Sequence, residues 1–110
     1  MQEQVSTVKV TAEMTEWFNE KGQLHRIDGP AAEWADGYKC WYQNGTIHRT
    51  DGPAEEWSDG SKIWYQNGQR HRLDGPAAEW ADGSKSWHIM GKSMSETKFL
   101  AKTKGIKQPA

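Results

Sequence analysis

The chain has 110 residues, room for one small domain, and its fourteen Lys and Arg nearly cancel its fifteen Asp and Glu. A charge that close to zero supplies no global field to draw in nucleic acid or an anionic membrane. Aliphatic residues are few, with five Ile, three Leu and three Val, but seven Trp, three Tyr and two Phe supply the missing apolar area and exclude a disordered chain.

Taken in chain order, residues 1–16 come first as an amino-terminal cap. Val8, Val10, Ala12 and Met14 alternate with Lys9, Thr11 and Glu13, which predicts an edge or capping strand. No signal-peptide core stands here and no apolar run reaches membrane-spanning length, so the cytoplasm is the expected compartment and a membrane is not an expected partner.

Residues 17–91 are a repeat of period 23. The stretch from Trp41 to Trp64, WYQNGTIHRTDGPAEEWSDGSKIW, returns from Trp64 to Trp87 as WYQNGQRHRLDGPAAEWADGSKSW. A copy from Trp17 to Trp41 carries one extra residue before its turn glycine, Gly22. Trp17, Trp41, Trp64 and Trp87 form one column and Trp34, Trp57 and Trp80 a second, so every tryptophan belongs to the repeat. Asn44-Gly45 and Asn67-Gly68 predict two-residue hairpin turns, and so do Asp36-Gly37, Asp59-Gly60 and Asp82-Gly83. A two-residue turn at Asp59-Gly60 pairs Trp57 with Lys62 and sets both Trp columns on one buried face, with lysine stems across the indoles. The HRxDGP segment is open between a third short strand and a structured loop.

Residues 92–110 are a carboxy-terminal cap and basic tail. An N-cap at Ser95, helix formers, Lys102 and Lys104 and a terminal Gly105 predict a helix over about 96–104, with Phe99 and Leu100 against the last repeat. The tail holds five Lys against Glu96, while residues 1–91 hold nine basic against fourteen acidic residues.

The period, with its WYxNG, NGxxH and WxDGSK signatures, resembles the MORN repeat, a hairpin unit that stacks into an elongated sheet. The longer HRxDGPAxEW variant is similar to MORN-like proteins encoded by bacteriophages and large DNA viruses. The resemblance implies a mainly β, elongated and curved stack of antiparallel hairpins with a short carboxy-terminal helix. It also implies a non-catalytic interaction role: a phage-encoded protein acting on a host protein, a bacterial defence protein being the first expectation. Dimerisation scaffolds and lipid binders are the family's other roles.

Catalysis is not expected. HRxD is not the kinase catalytic loop, which needs His-Arg-Asp contiguous, and three copies of one motif are unlike an active site assembled from unlike parts. Arg and Asp of neighbouring copies are expected to pair, with histidine packed on tryptophan. Successive histidines, two strands or roughly 10 Å apart, cannot share a zinc ion, so neither metal nor cofactor is expected. Cys40 is alone, at the position of Ile63 and Ser86, and reads as a tolerated side chain in a reducing compartment, neither disulfide partner nor nucleophile. A base-stacking platform for single-stranded nucleic acid needs a basic groove, and the repeat region is acidic. Glu33, Glu56 and Glu79 form an acidic stripe, for which pairing with Arg26, Arg49 and Arg72 is the preferred reading. The expected protein-binding residues are Tyr42, Arg49, Glu56, Tyr65, Arg72 and Glu79, because Tyr and Arg dominate binding hot spots. The rival reading is an anionic-lipid or small-anion site using Arg49, Arg72 and the lysine-rich tail. A homodimer is expected to cover the remaining aromatic face.

Overall fold

A computed structural model describes residues 5–105; the last part of the expected basic tail, residues 106–110, lies outside the described residues. The chain opens on a hairpin of β1 (Thr7–Val10) and β2 (Met14–Phe18). The first copy then supplies β3 (Ala32–Trp34) and β4 (Lys39–Cys40), the second β7 (Glu55–Glu56) and β8 (Lys62–Ile63), the third β11 (Ala78–Glu79) and β12 (Lys85–Ile89). With β13 (Lys92–Met94) these nine strands make one antiparallel sheet in the order β1-β2-β3-β4-β7-β8-β11-β12-β13. The sheet is open and elongated, as expected, within overall dimensions of 44 × 35 × 22 Å.

In the second and third copies a small hairpin precedes the loop and the copy's two sheet strands. These are β5 (Tyr42–Gln43) with β6 (Thr46–Ile47), and β9 (Tyr65–Gln66) with β10 (Gln69–Arg70). Their turns are the predicted two-residue type: Asn44 and Gly45 have φ of 49° and 82°, Asn67 and Gly68 of 52° and 80°. The chain then runs through HRxDGP without strand pairing, which decides that segment as a loop.

The Asp-Gly turns differ from expectation. Only the glycines adopt positive φ; Asp36, Asp59 and Asp82 do not. Trp57 N–H donates to the Ser61 carbonyl at 2.9 Å and Gly60 N–H to the Trp57 carbonyl at 3.0 Å, enclosing a loop of Ser58, Asp59 and Gly60. The aspartate works through its side chain instead, Asp59 accepting from Ser61 N–H at 2.8 Å. One more loop residue shifts the register by one, so Glu56 faces Lys62 and Glu55 faces Ile63.

A one-residue slip moves every side chain of a strand to the other face. By alternation Trp41 and Trp64 lie with Glu56, Lys39 and Lys62, whereas Trp34, Trp57 and Trp80 lie with Ala32, Cys40, Ile63 and Ala78. The two Trp columns therefore occupy opposite faces, not the shared face expected from sequence. Arginines rather than lysine stems cover the indoles of the first column. The extra residue of the first copy is absorbed in the same manner, by a Glu20-Lys21-Gly22 loop between Asn19 and Gln23.

The core is thin and built from small residues. Ala31, Ala32, Ala54, Ala77 and Ala78 are fully buried where neighbouring copies meet, joined by Cys40 and Ile63. At the far edge α1 (Glu96–Thr103) packs against β12. The Ser95 hydroxyl caps it by accepting from Lys98 N–H at 3.2 Å, and Phe99 is 2 % exposed. Leu100 points away and is exposed, so Phe99 alone does the packing expected of both. At the opposite edge the residues of β1 are all exposed.

Candidate functional site

The HRxDGP loop is built around its arginine. In the second copy Arg49 Nε donates to Asp51 at 2.8 Å, and Nη1 donates to the Pro53 carbonyl at 2.9 Å and to Glu56 at 3.2 Å. The guanidinium carbon stands 4.0 Å above the Trp41 ring. The first and third copies repeat this. Arg26 binds Asp28, Pro30 and Glu33 over Trp17; Arg72 binds Asp74, Pro76 and Glu79 over Trp64 at 3.8 Å. The expected arginine–glutamate pairing is present, but the aspartate partner is two residues away in the same loop rather than in a neighbouring copy. Arginine, not histidine, packs on the tryptophan. A rigid planar fork suits this double task of bridging carboxylates and stacking on a ring.

The glycine of each Asp-Gly-Pro makes room for that plate. A Cβ on Gly52 would lie 2.8 Å from the Arg49 guanidinium carbon, and Gly29 and Gly75 meet Arg26 and Arg72 at 2.9 and 3.0 Å. The Arg49 hydrogen bond holds the Asp51 carboxyl below its ordinary range.

Histidine ties each copy to the next. Nδ1 of His25 accepts from Asn44 N–H at 3.0 Å, that of His48 from Asn67 N–H at 2.9 Å, and that of His71 from Met90 N–H at 2.9 Å. Accepting at Nδ1 requires that nitrogen to be unprotonated, and burial pushes the His71 pKa down. Two backbone bonds accompany each link, as when Gly68 N–H donates to the Ile47 carbonyl at 2.9 Å and Arg49 N–H to the Tyr65 carbonyl at 3.1 Å. The loops are thereby held side by side at the period of the repeat.

Between successive loops lie two equivalent clefts. The first, of about 510 Å³, has Trp41, Gln43, His48, Arg49 and the 27–30 and 50–51 loop segments as its lining. The second, of about 470 Å³, has Trp64, Gln66, His71, Arg72 and the 49–52 and 73–74 segments. Arg49, Thr50 and Asp51 are shared, forming the wall between them. Among the described residues the stacked arginine–tryptophan series ends at Trp64, and Ser95 stands where the next arginine would be.

Of the residues singled out in sequence, the structure joins Arg49 to Glu56 and Arg72 to Glu79 on the loop face. The Tyr42 and Tyr65 side chains are not among these partners, although the Tyr65 carbonyl accepts from Arg49 N–H. The Tyr42 hydroxyl sits by Cys40 on the opposite face, where burial first and the neighbouring thiol second push its pKa up to about 12. Tyr65 holds the same register position in the third copy.

That opposite face carries a group particular to the first two copies. The Tyr38 hydroxyl donates to Glu55 and lies 3.3 Å from the Cys40 sulfur, and its ring sits between Trp34 and Trp57 at centroid distances of 4.8 and 4.2 Å. Burial raises the pKa of both Tyr38 and Cys40. A buried thiol kept protonated is a poor nucleophile. Among the described residues no group of three or more His, Cys, Asp or Glu is poised to hold a metal ion, and no helix is long and apolar enough to cross a membrane.

Sequence reading missed the clefts, the arginine–tryptophan stack and the clearance role of the glycines. A signal for the second was present, since Arg, Asp and Glu recur at i, i+2 and i+7 in all three copies. Comparison with family models, with curated proteins and with solved structures finds no match for this chain.

Proposed function

We propose that this chain is a non-catalytic protein-binding module whose loop face docks on a partner protein. The carrying observation is the repeated arginine lock. Three guanidinium groups are each held by two carboxylates, a backbone carbonyl and an indole, which leaves a rigid surface with more negative than positive charge along its loops. Such a surface is pre-organised, so little ordering entropy opposes docking. It suits a partner with a basic patch.

The repeat resemblance supplies the biological setting of the proposal: a phage-encoded protein in the host cytoplasm that inhibits or redirects a bacterial defence protein. The rival reading, an anionic-lipid or small-anion site on Arg49 and Arg72, finds less support because both guanidinium groups already hold two carboxylates. A dimerisation role draws on a separate observation. Trp57 and Trp80 are 43 % and 38 % exposed on the face opposite the loops, and a second copy would cover them.

Affinity capture from bacterial lysate with the full chain, set beside binding to vesicles of phosphatidylcholine and phosphatidylglycerol, tests the proposal. It expects a stoichiometric protein partner that is lost when Thr50→Arg fills the shared wall. Saturable vesicle binding with no protein partner would reverse the order of the two readings. Light scattering over a wide concentration range decides between monomer and dimer.

A further inference from the structure

We propose that the two inter-loop clefts accept two cationic side chains, three residues apart, from a basic segment of the partner in the polyproline II conformation. This rests on the reading of the loop face as the binding surface and names the chemistry of what binds there.

Spacing comes first. Each copy adds two strands to the sheet, so equivalent points on successive copies are about 9.6 Å apart. A polyproline II helix turns once in three residues and rises about 9.3 Å in doing so. Residues i and i+3 of such a segment would fall into the two clefts together. A β-strand places same-face side chains at about 6.7 or 13 Å, and neither value fits.

Charge comes second. Asp28 and Asp51 stand at the first cleft, Asp51 and Asp74 at the second, with side chains 87 %, 80 % and 48 % exposed. Each wall arginine is already opposed by two carboxylates. A Lys or Arg entering either cleft therefore meets a carboxylate-rich rim, with the edge of Trp41 or Trp64 available to its methylene stem.

The remaining polar groups suit the backbone. A polyproline II segment has no internal hydrogen bonds, so its carbonyls need outside donors. With Nδ1 of His48 and His71 accepting from the next copy, a neutral ring carries its proton on Nε2. Each cleft thus holds one imidazole N–H donor and one amide donor, from Gln43 or Gln66. Aromatic-lined grooves with such donors are a general means of binding proline-rich segments.

The test is calorimetric titration of the full chain with the blocked peptide Pro-Pro-Lys-Pro-Pro-Lys-Pro-Pro. Two comparators are used, one with the lysines two residues apart and one with glutamate in place of lysine. The expected result is saturable binding of the first peptide, with the comparators at least about tenfold weaker. Asp51→Asn should weaken the first peptide by about tenfold, Thr50→Arg should abolish binding, and Asp59→Asn, on the distant turn, should leave it unchanged. If Thr50→Arg fails to fold, Asp51→Asn, an exposed isosteric change, decides. Absence of binding, equal binding of the differently spaced peptide, or an unchanged Asp51→Asn would overturn the inference. A protein partner released by Thr50→Arg while the peptides do not bind would overturn this inference alone. Partner capture that survives Thr50→Arg would overturn the loop-face reading beneath it.

Discussion

The two faces of the sheet obey different rules. On the loop face the same four side chains, Arg, Asp, Glu and Trp, recur in three copies with nearly the same contacts. On the other face the Trp34, Trp57 and Trp80 column repeats, but the positions packed around it diverge: Tyr38, Ser61 and Ser84; Cys40, Ile63 and Ser86; Ala32, Glu55 and Ala78. The loop face is built from directional bonds to one planar cation, and any partner it loses leaves a charge or carbonyl unsatisfied. The other face is held by packing of small and aromatic groups, which accepts several solutions of similar volume. Directional chemistry repeats, and packing drifts.

The largest effect should come from removing the cation at the centre. Arg49→Ala leaves Asp51, Glu56 and the Pro53 carbonyl without their donor and uncovers Trp41, and should cost about 3 kcal/mol by thermal or urea unfolding. Arg49→Lys should recover less than half, since a single ammonium cannot bridge and stack at once. A loss below about 0.5 kcal/mol for Arg49→Ala would mean the lock is ornamental. Gly52→Ala attacks the same lock by contact alone. Its Cβ would sit 2.8 Å from the guanidinium carbon, and a loss of about 1–3 kcal/mol is expected from overpacking. Unfolding that matches the parent would show that the plate moves aside freely.

The lock also explains how much was legible in the sequence. The period, the open hairpin stack, the Asn-Gly turns and the terminal helix follow from local signals: glycine spacing, positive-φ residue types and the Ser95 cap. Arg49 with Glu56 was legible as well, because an arginine and a glutamate recur seven residues apart in all three copies. The Asp-Gly register was not. It depends on whether Asp59 enters the left-handed region or bonds to Ser61 N–H through its carboxylate, and both are ordinary for aspartate. That single choice sent Trp57 to the face opposite Trp64 and separated Tyr42 and Tyr65 from the arginines. The clefts were invisible for another reason: they are spaces between loops, created by the stacking interval and written in no residue.

Acid should loosen the joints between copies before it touches the loops. The pKa of His71 is lowered by burial, that of His88 by burial and by Arg70. Their folded values lie below the unfolded value of about 6.5, so the unfolded chain binds more protons between the two. The stability they contribute is complete above about pH 6.5 and is lost as pH falls through the folded values. Asp51, lowered by Arg49, follows the same sign at lower pH, with loss beginning below about 4. A melting temperature that falls in two stages is expected, and His88→Tyr, the residue type of the other copies, should flatten part of the first stage. A melting temperature constant from pH 7 to 5 would contradict it.

The smallest effect belongs to the drifting face. Cys40→Ile installs the residue of the second copy at the equivalent buried position and should change stability by no more than about 1 kcal/mol. Unfolding in denaturant measures it, and a loss above about 3 kcal/mol would show that this face is as constrained as the other.

The seven indoles report directly on which face works. Trp41 and Trp64 line the clefts on the loop face, while Trp57 and Trp80 are exposed on the other. In a two-dimensional NMR titration of the full chain with the captured partner, the indole N–H signals of Trp41 and Trp64 should move while those of Trp57 and Trp80 hold still. Movement of Trp57 and Trp80 with Trp41 and Trp64 unchanged would contradict the assignment of binding to the loop face.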